Sequence, residues 1–224
     1  MIRGKHLVFA GILGMTAYVL YHNERFLIEP NNPIWGHYSK YGWWLLTHGV
    51  AGACALVLAP MQFSERLRKR YTRLHRVSGR TYVVGALVLA PLGAYVQYMA
   101  EGIDGAPRSF TILAIVDAAM LCGTTLVAFT FALRRRITMH RLWMTRSYAV
   151  ALVFFEGRFI LGVTGWEAAG VEIVQAVIWA CLAFSVLVAD LINDWHEIRL
   201  AALAPAKVPI GAERPARAAV LPSA

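Results

Sequence analysis

Charge is scarce in this 224-residue chain. Asp, Glu, Lys and Arg make up 16% of it, against 58% hydrophobic residues and a mean hydropathy of +0.52. A soluble domain carries about a quarter charged residues, so the scarcity excludes that class and points to lipid as the solvent. Cysteine is scarcer still. Cys54, Cys122 and Cys181 each stand alone in a different apolar run. None has CxxC spacing, which speaks against a zinc site or a disulfide framework; they read as small residues at helix contacts. Walker A, GxGxxG, HExxH and GxSxG are all missing. Their absence argues against a self-contained NTPase, dinucleotide enzyme, metalloprotease or hydrolase.

What the sequence has is six apolar stretches: His6–Tyr21, Trp43–Gln62, Thr81–Met99, Phe110–Leu133, Ser147–Val163 and Val171–Ile192. Each is near the roughly 20 residues that a bilayer-spanning helix needs. The first begins basic, as a signal peptide does, but it lacks a clean small-x-small cleavage site and reads as a retained span. The expected fold class is all-α, a polytopic membrane helical bundle of six transmembrane helices.

Positive charge sets the orientation. Of 22 Lys and Arg, two precede the first stretch, seven lie between Arg66 and Arg80, five between Arg134 and Arg146, and four from Arg199 onward. The opposite side holds only Arg25, Lys40 and Arg108, and Arg158 sits inside a stretch. The positive-inside rule then places both termini in the cytoplasm. The net charge of +9 follows from this topology and from attraction to anionic lipid headgroups, so no nucleic-acid partner is needed. Aromatic residues fit two interfaces: Trp35, Tyr38, Tyr41, Trp43, Trp44 and Trp166 outside, Tyr71, Trp143, Tyr148 and Trp195 inside.

Residues 1–200 read as one six-span membrane domain. Residues 201–224, rich in Ala, Pro and Arg, read as a disordered cytoplasmic tail. Asn23 to Gly42 forms the longest outer loop. Pro60 is expected to end or bend the second span and Pro91 to kink the third.

Two segments repeat one another. "LHRVSGRTYVV" begins at Leu74 and "MHRLWMTRSYAV" at Met139; both run His-Arg, a few residues, Arg, a small hydroxyl residue and Tyr. Each follows a basic loop inside a hairpin of the same orientation, so the two hairpins read as a parallel repeat about an axis along the membrane normal. His75 and His140 then fall at equivalent cytoplasmic helix ends. A b-type haem needs two neutral imidazoles and basic partners for its propionates. His75 and His140 as iron ligands, with Arg76, Arg80, Arg141 and Arg146 beside them, meet that requirement. Depth stands against it. His75 precedes the apolar run at Thr81 by six residues, about 9 Å of helix, a wet level unless the helices reach further inward. The plainer reading is an interfacial anchor, with Arg on lipid phosphates and His bonded to the loop.

A second polar layer lies in the outer half: His48, Asp117, Glu156 and Arg158. Ionisable groups inside a bilayer cost on the order of 2.5–3.5 kcal/mol each on insertion scales. They persist when they pair, line water or do chemistry. Glu156 and Arg158 project about 200° apart on a helix. Arg158 is therefore expected to reach Asp117 or another helix, leaving Glu156 to face His48 or a cavity. His48 beside a carboxylate suits proton acceptance from a quinol; a polar core fixing helix register is the alternative. The small residues after Thr47 let another helix approach at Gly49, Gly52 and Ala53.

The stretches "HGVAGACALVLAPMQF", "LHRVSGRTYVVGAL" and "MHRLWMTRSYAVALVFFEGRF" resemble a bacterial multi-span membrane family, the domain of unknown function 2306, over roughly Trp43 to Ile160. The resemblance marks His48, Pro60, His75, Arg76, Gly79, Arg80, His140, Arg141, Trp143, Met144, Arg146 and Arg158, and implies membership and architecture without a reaction. The chain is more loosely similar to six-helix proteins of the cytochrome b561 type, which hold haems between paired helices. Here Asp117 occupies the outer place where a second histidine would face His48, so at most one inner haem is implied. The functional expectation is a small haem- or quinone-linked redox component. The alternative is a non-enzymatic subunit or assembly factor of a larger membrane complex.

Overall fold

The computed structural model describes residues 4–29 and 31–203. All regular structure among them is helical. The long helices are α1 (Gly4–Asn23), α3 (Gly42–Gln62), α5 (Thr72–Asp104), α6 (Arg108–Leu133), α7 (Ile137–Thr164) and α8 (Val171–Leu203), with short α2 (Ile34–Tyr38) and α4 (Glu65–Arg70) between them. Five helices, α3 and α5 to α8, are long and apolar enough to cross a membrane. In α1 the apolar run is shorter, Leu7–Asn23. The tail expected from residue 201 lies outside the described residues except for 201–203, which continue α8.

The core is a hairpin pair. α3 packs on α5, α5 on α6 and α6 on α7, with α1 against α7. In lipid the helices gain nothing from leaving water, so close fit and interhelical hydrogen bonds must hold them. The α3–α5 seam provides that fit. Ala51, Ala55 and Ala59, at four-residue spacing, are all buried. A Cβ on Gly85 would stand 3.1 Å from the Ala51 carbonyl oxygen. The close approach thus uses Ala51, Gly52 and Ala55; Gly49 and Ala53 face outward. The expected stripe was rotated by part of a turn because nothing in an apolar helix marks its inner face.

The two hairpins share landmarks. α5 and α7 both end on a left-handed glycine, Gly105 (φ 69°) and Gly165 (φ 70°), where no Cβ opposes the turn. α6 and α7 are joined more tightly, through Arg135 at φ 58°. The connection between α1 and α3 is anchored by Asp104, which accepts hydrogen bonds from Lys40 Nζ (2.5 Å) and from the Tyr41 hydroxyl. Burial, then that hydrogen bond, push the Tyr41 phenol up to about 12. Tyr41 is therefore a buried pin, not an interfacial aromatic. Tyr148, expected at the inner interface, is likewise buried in the core.

Candidate functional site

The N-terminal ends of α5 and α7 extend beyond the apolar runs, to Thr72 and Ile137. His75 and His140 each become the fourth residue of their helix. Their backbone N–H groups make matching bonds, to the Tyr71 and Arg136 carbonyls. His140 lies close enough for its charge to act on the His75 imidazole. The Nδ1–H of His140 donates to the Ala128 carbonyl of α6 at 2.9 Å. That bond fixes the ring and leaves Nε2 with its lone pair, as in histidines that hold metals. Nδ1 of His75 is buried and has no partner among the described residues, and such orphans call for an explanation. Arg76, Arg80 and Arg141 are exposed around the pair. Arg146 is not available in the same way. Its Nε donates to Asp190 Oδ1 of α8 at 2.7 Å, and its guanidinium lies 4.7 Å from the Trp143 ring centroid.

Next to the first repeated segment, Gln62 Nε2 donates to Ser78 Oγ at 2.7 Å, and Ser78 donates to the Leu74 carbonyl. Gly79 leaves room for that glutamine, since a Cβ there would sit 3.1 Å from Gln62 Oε1. The "SG" of the first segment therefore fastens the end of α3 to α5.

Seven residues beyond each histidine, about 10 Å further along the helix, the repeats meet. Tyr82 and Ser147 both occupy the eleventh helix position, and their hydroxyls lie 2.7 Å apart. Thr125 of α6 joins Ser147 at 2.7 Å. All three residues are fully buried, and the adjacent Tyr148 hydroxyl is buried without a partner. This chain of hydroxyls was missed in the sequence. Its only trace was the hydroxyl-Tyr pair ending both repeated segments.

The outer residues do not converge. Arg158 pairs with Glu24, just after α1, rather than with Asp117. Arg158 thus reaches beyond its own helix, one of the two expected outcomes, but its partner Glu24 is brought in from 134 residues away, and sequence spacing carries no sign of it. Arg158 and Glu24 act electrostatically on both His48 and Tyr38. Burial raises the Tyr38 phenol, with the Arg158 charge opposing it. The Nδ1–H of His48 donates to the Leu89 carbonyl at 3.0 Å, which fixes Nδ1 as the protonated nitrogen. The ring lies on Gly93, where a Cβ would stand 2.8 Å from its Cε1. Glu156 turns instead toward α8, near enough to Cys181 to act on its thiol. Asp117 is 8% exposed, and its Oδ1 is buried without a partner. Among the described residues the hydrogen bond of His48 goes to Leu89 rather than to Glu156. Among the described residues, no group of three or more His, Cys, Asp or Glu gathers as a metal site.

No curated protein and no solved structure matches the chain. One family model does, described as "Predicted membrane protein (DUF2306)", over residues 45–193. That range takes in both repeated segments, the His75–His140 pair and the buried hydroxyl chain. The chain belongs to this family of membrane proteins, the domain of unknown function 2306.

Proposed function

We propose that this is a six-span protein of the bacterial inner membrane, both termini cytoplasmic, that holds one b-type haem between His75 and His140 and serves as a small redox component. The observation that carries the reading is the imidazole pair. His140 is oriented by Ala128 with Nε2 left over, and His75 has a buried nitrogen lacking any partner among the described residues. The donor set fits the group: two imidazoles for the iron, and exposed Arg76, Arg80 and Arg141 for its carboxylates. Bound haem would supply one-electron transfer. On the outer side, His48 with Nδ1–H held by Leu89 keeps Nε2 as a base for a quinol proton.

The orientation rests on the basic loops, and single-cysteine labelling checks it. Arg70→Cys and Arg135→Cys, in a background lacking the three native cysteines, are expected to react only from the cytoplasmic face. Glu167→Cys should react only from the other. Labelling of Arg70→Cys and Arg135→Cys from opposite sides would remove the repeat and the ligand pair together.

The haem itself is tested by a reduced-minus-oxidised spectrum and a pyridine haemochrome assay on the full chain in detergent. A Soret band and α-band are expected, both lost in His75→Ala and in His140→Ala. A colourless protein, or variants that keep the spectrum, sinks the assignment. One observation favours a second reading. Arg146 is committed to Asp190 and Trp143, as in a motif that locks helices. On that reading, a non-enzymatic subunit or assembly factor, the same variants leave spectra untouched and weaken co-purification with a partner complex.

A further inference from the structure

The turn between α4 and α5 opens a shallow groove lined by Arg70, Tyr71, Thr72, Arg73, Leu74 and Val77. Its surroundings are strongly basic. Seven Lys and Arg lie from Arg66 to Arg80, and Glu65 is the sole carboxylate between Ser64 and Ala100. None of the ion pairs among the described residues engages Arg70 or Arg73. The Arg70 guanidinium lies 5.7 Å from the centroid of the half-exposed Tyr71 ring, which flanks the groove.

From the groove an apolar strip continues up one face of α5. Leu74, Val77, Val84 and Val88 follow helical spacing and remain 36% to 62% exposed. Between them Thr81 returns its hydroxyl to the Val77 carbonyl at 3.1 Å, so its polar atom is satisfied within the helix. Leu74 to Val84 is ten residues, about 15 Å of rise. That is half of a hydrocarbon core about 30 Å thick, the depth of one leaflet.

We propose that this groove and strip bind one anionic phospholipid of the inner leaflet, its phosphate between Arg70 and Arg73 and an acyl chain along Leu74, Val77 and Val84. The charge of the groove selects the anionic headgroup. Guanidinium forks match phosphate oxygens, and no ion pair among the described residues occupies either arginine. The strip distinguishes a lipid from a free anion, because only a lipid carries an apolar chain one leaflet long. This site does not depend on what the histidines hold.

Native mass spectrometry of the full-length protein in detergent, titrated with phosphatidylglycerol or with phosphatidylcholine of the same chains, tests it. Phosphatidylglycerol is expected to bind about tenfold more tightly, since both lipids offer the phosphate but phosphatidylcholine also brings a choline cation that Arg70 and Arg73 repel. Arg70→Gln with Arg73→Gln should lower it to the phosphatidylcholine level. Arg70→Lys with Arg73→Lys should keep most of the preference, and Arg134→Gln with Arg135→Gln, an equal loss of charge elsewhere, should keep it all. Val77→Asn leaves both arginines in place and should still weaken the long-chain lipid severalfold. Equal binding of the two lipids overturns the proposal, as does preference surviving in the Gln pair. Displacement by millimolar inorganic phosphate, or no effect of Val77→Asn, would make this a free-anion site and overturn the lipid. Circular dichroism of each variant confirms the fold, and should the Gln pair unfold, the Val77→Asn and phosphate arms decide.

Discussion

Tyr82→Ala is expected to destabilise the bundle by about 3–5 kcal/mol, the range for removing a fully buried aromatic side chain. Tyr82 is wholly inaccessible and stands where α5, α6 and α7 meet. In lipid the transfer part of that cost is reduced, since the cavity edge is no more apolar than the acyl chains outside. The loss of packing remains, because packing holds these helices together. The phenol adds a further share. Without it Ser147 keeps only Thr125, so Tyr82→Phe should cost about 0.5–1.5 kcal/mol, the net worth of one hydrogen bond. The same change at the tyrosine that ends the second segment, one position further along its helix, behaves differently. The Tyr148 hydroxyl is buried with no partner, so Tyr148→Phe should be neutral or stabilising. Reversible SDS titrations followed by helicity would rank the three variants. A Tyr148→Phe loss as large as that of Tyr82→Phe would show that the two repeats are not distinguished as described.

This contrast shows where sequence reading reaches its limit. The helices were legible from the length of the apolar runs, and the paired hairpins from their basic turns and the two His-Arg segments. Those features follow from solvent: lipid demands about twenty apolar residues, and loop charge sorts the sides. Which face of each helix turns inward was not legible. A soluble helix announces its inner face by a polar outer one, whereas here both faces are apolar. Hence Gly49 and Ala53 were expected at a seam that Ala51 and Ala55 form, and Tyr148 was expected at an interface while it lies in the core. The polar residues were legible as a set and misread as a partnership. Their depth could be counted along each run, and by that count Asp117, Glu156 and His48 stand out as costly groups. Their partners depended on rotation and on the outer loop, and Glu24 entered from outside any span. Histidine positions survived better than arginine positions for a related reason. His75 and His140 share the fourth helical position, whereas the arginines behind them differ by one residue. That single step turns a side chain by about 100°, which leaves Arg80 exposed and places Arg146 against Asp190.

Gly85→Leu should have an effect of similar size, by forcing a seam apart rather than emptying it. At Gly85 even a Cβ would stand 3.1 Å from the Ala51 carbonyl oxygen and 3.5 Å from Cys54 Cβ. The first neighbour is backbone, so it cannot swing away as a side chain would. A leucine adds three more carbons in that direction, and α3 must move away from α5 along the length of the Ala51–Ala55–Ala59 stripe. Overpacking usually costs about 1–3 kcal/mol; the upper end or beyond applies here, because the displaced element is a whole helix and water offers no compensating drive to re-form the contact. Two further consequences separate this from general damage. His48 leans on Gly93 and Leu89, two turns along the same face of α5, so its Nδ1 hydrogen bond should be lost as well, visible as a shift of the imidazole nitrogen resonance. The Tyr82–Ser147–Thr125 chain faces α6 and α7 and should persist. Gly85→Ala, with only the Cβ to accommodate, should fall between wild type and leucine in an SDS titration. If leucine proves as stable as glycine, the α3–α5 seam is not as close as 3.1 Å requires, and the placement of His48 against α5 fails with it.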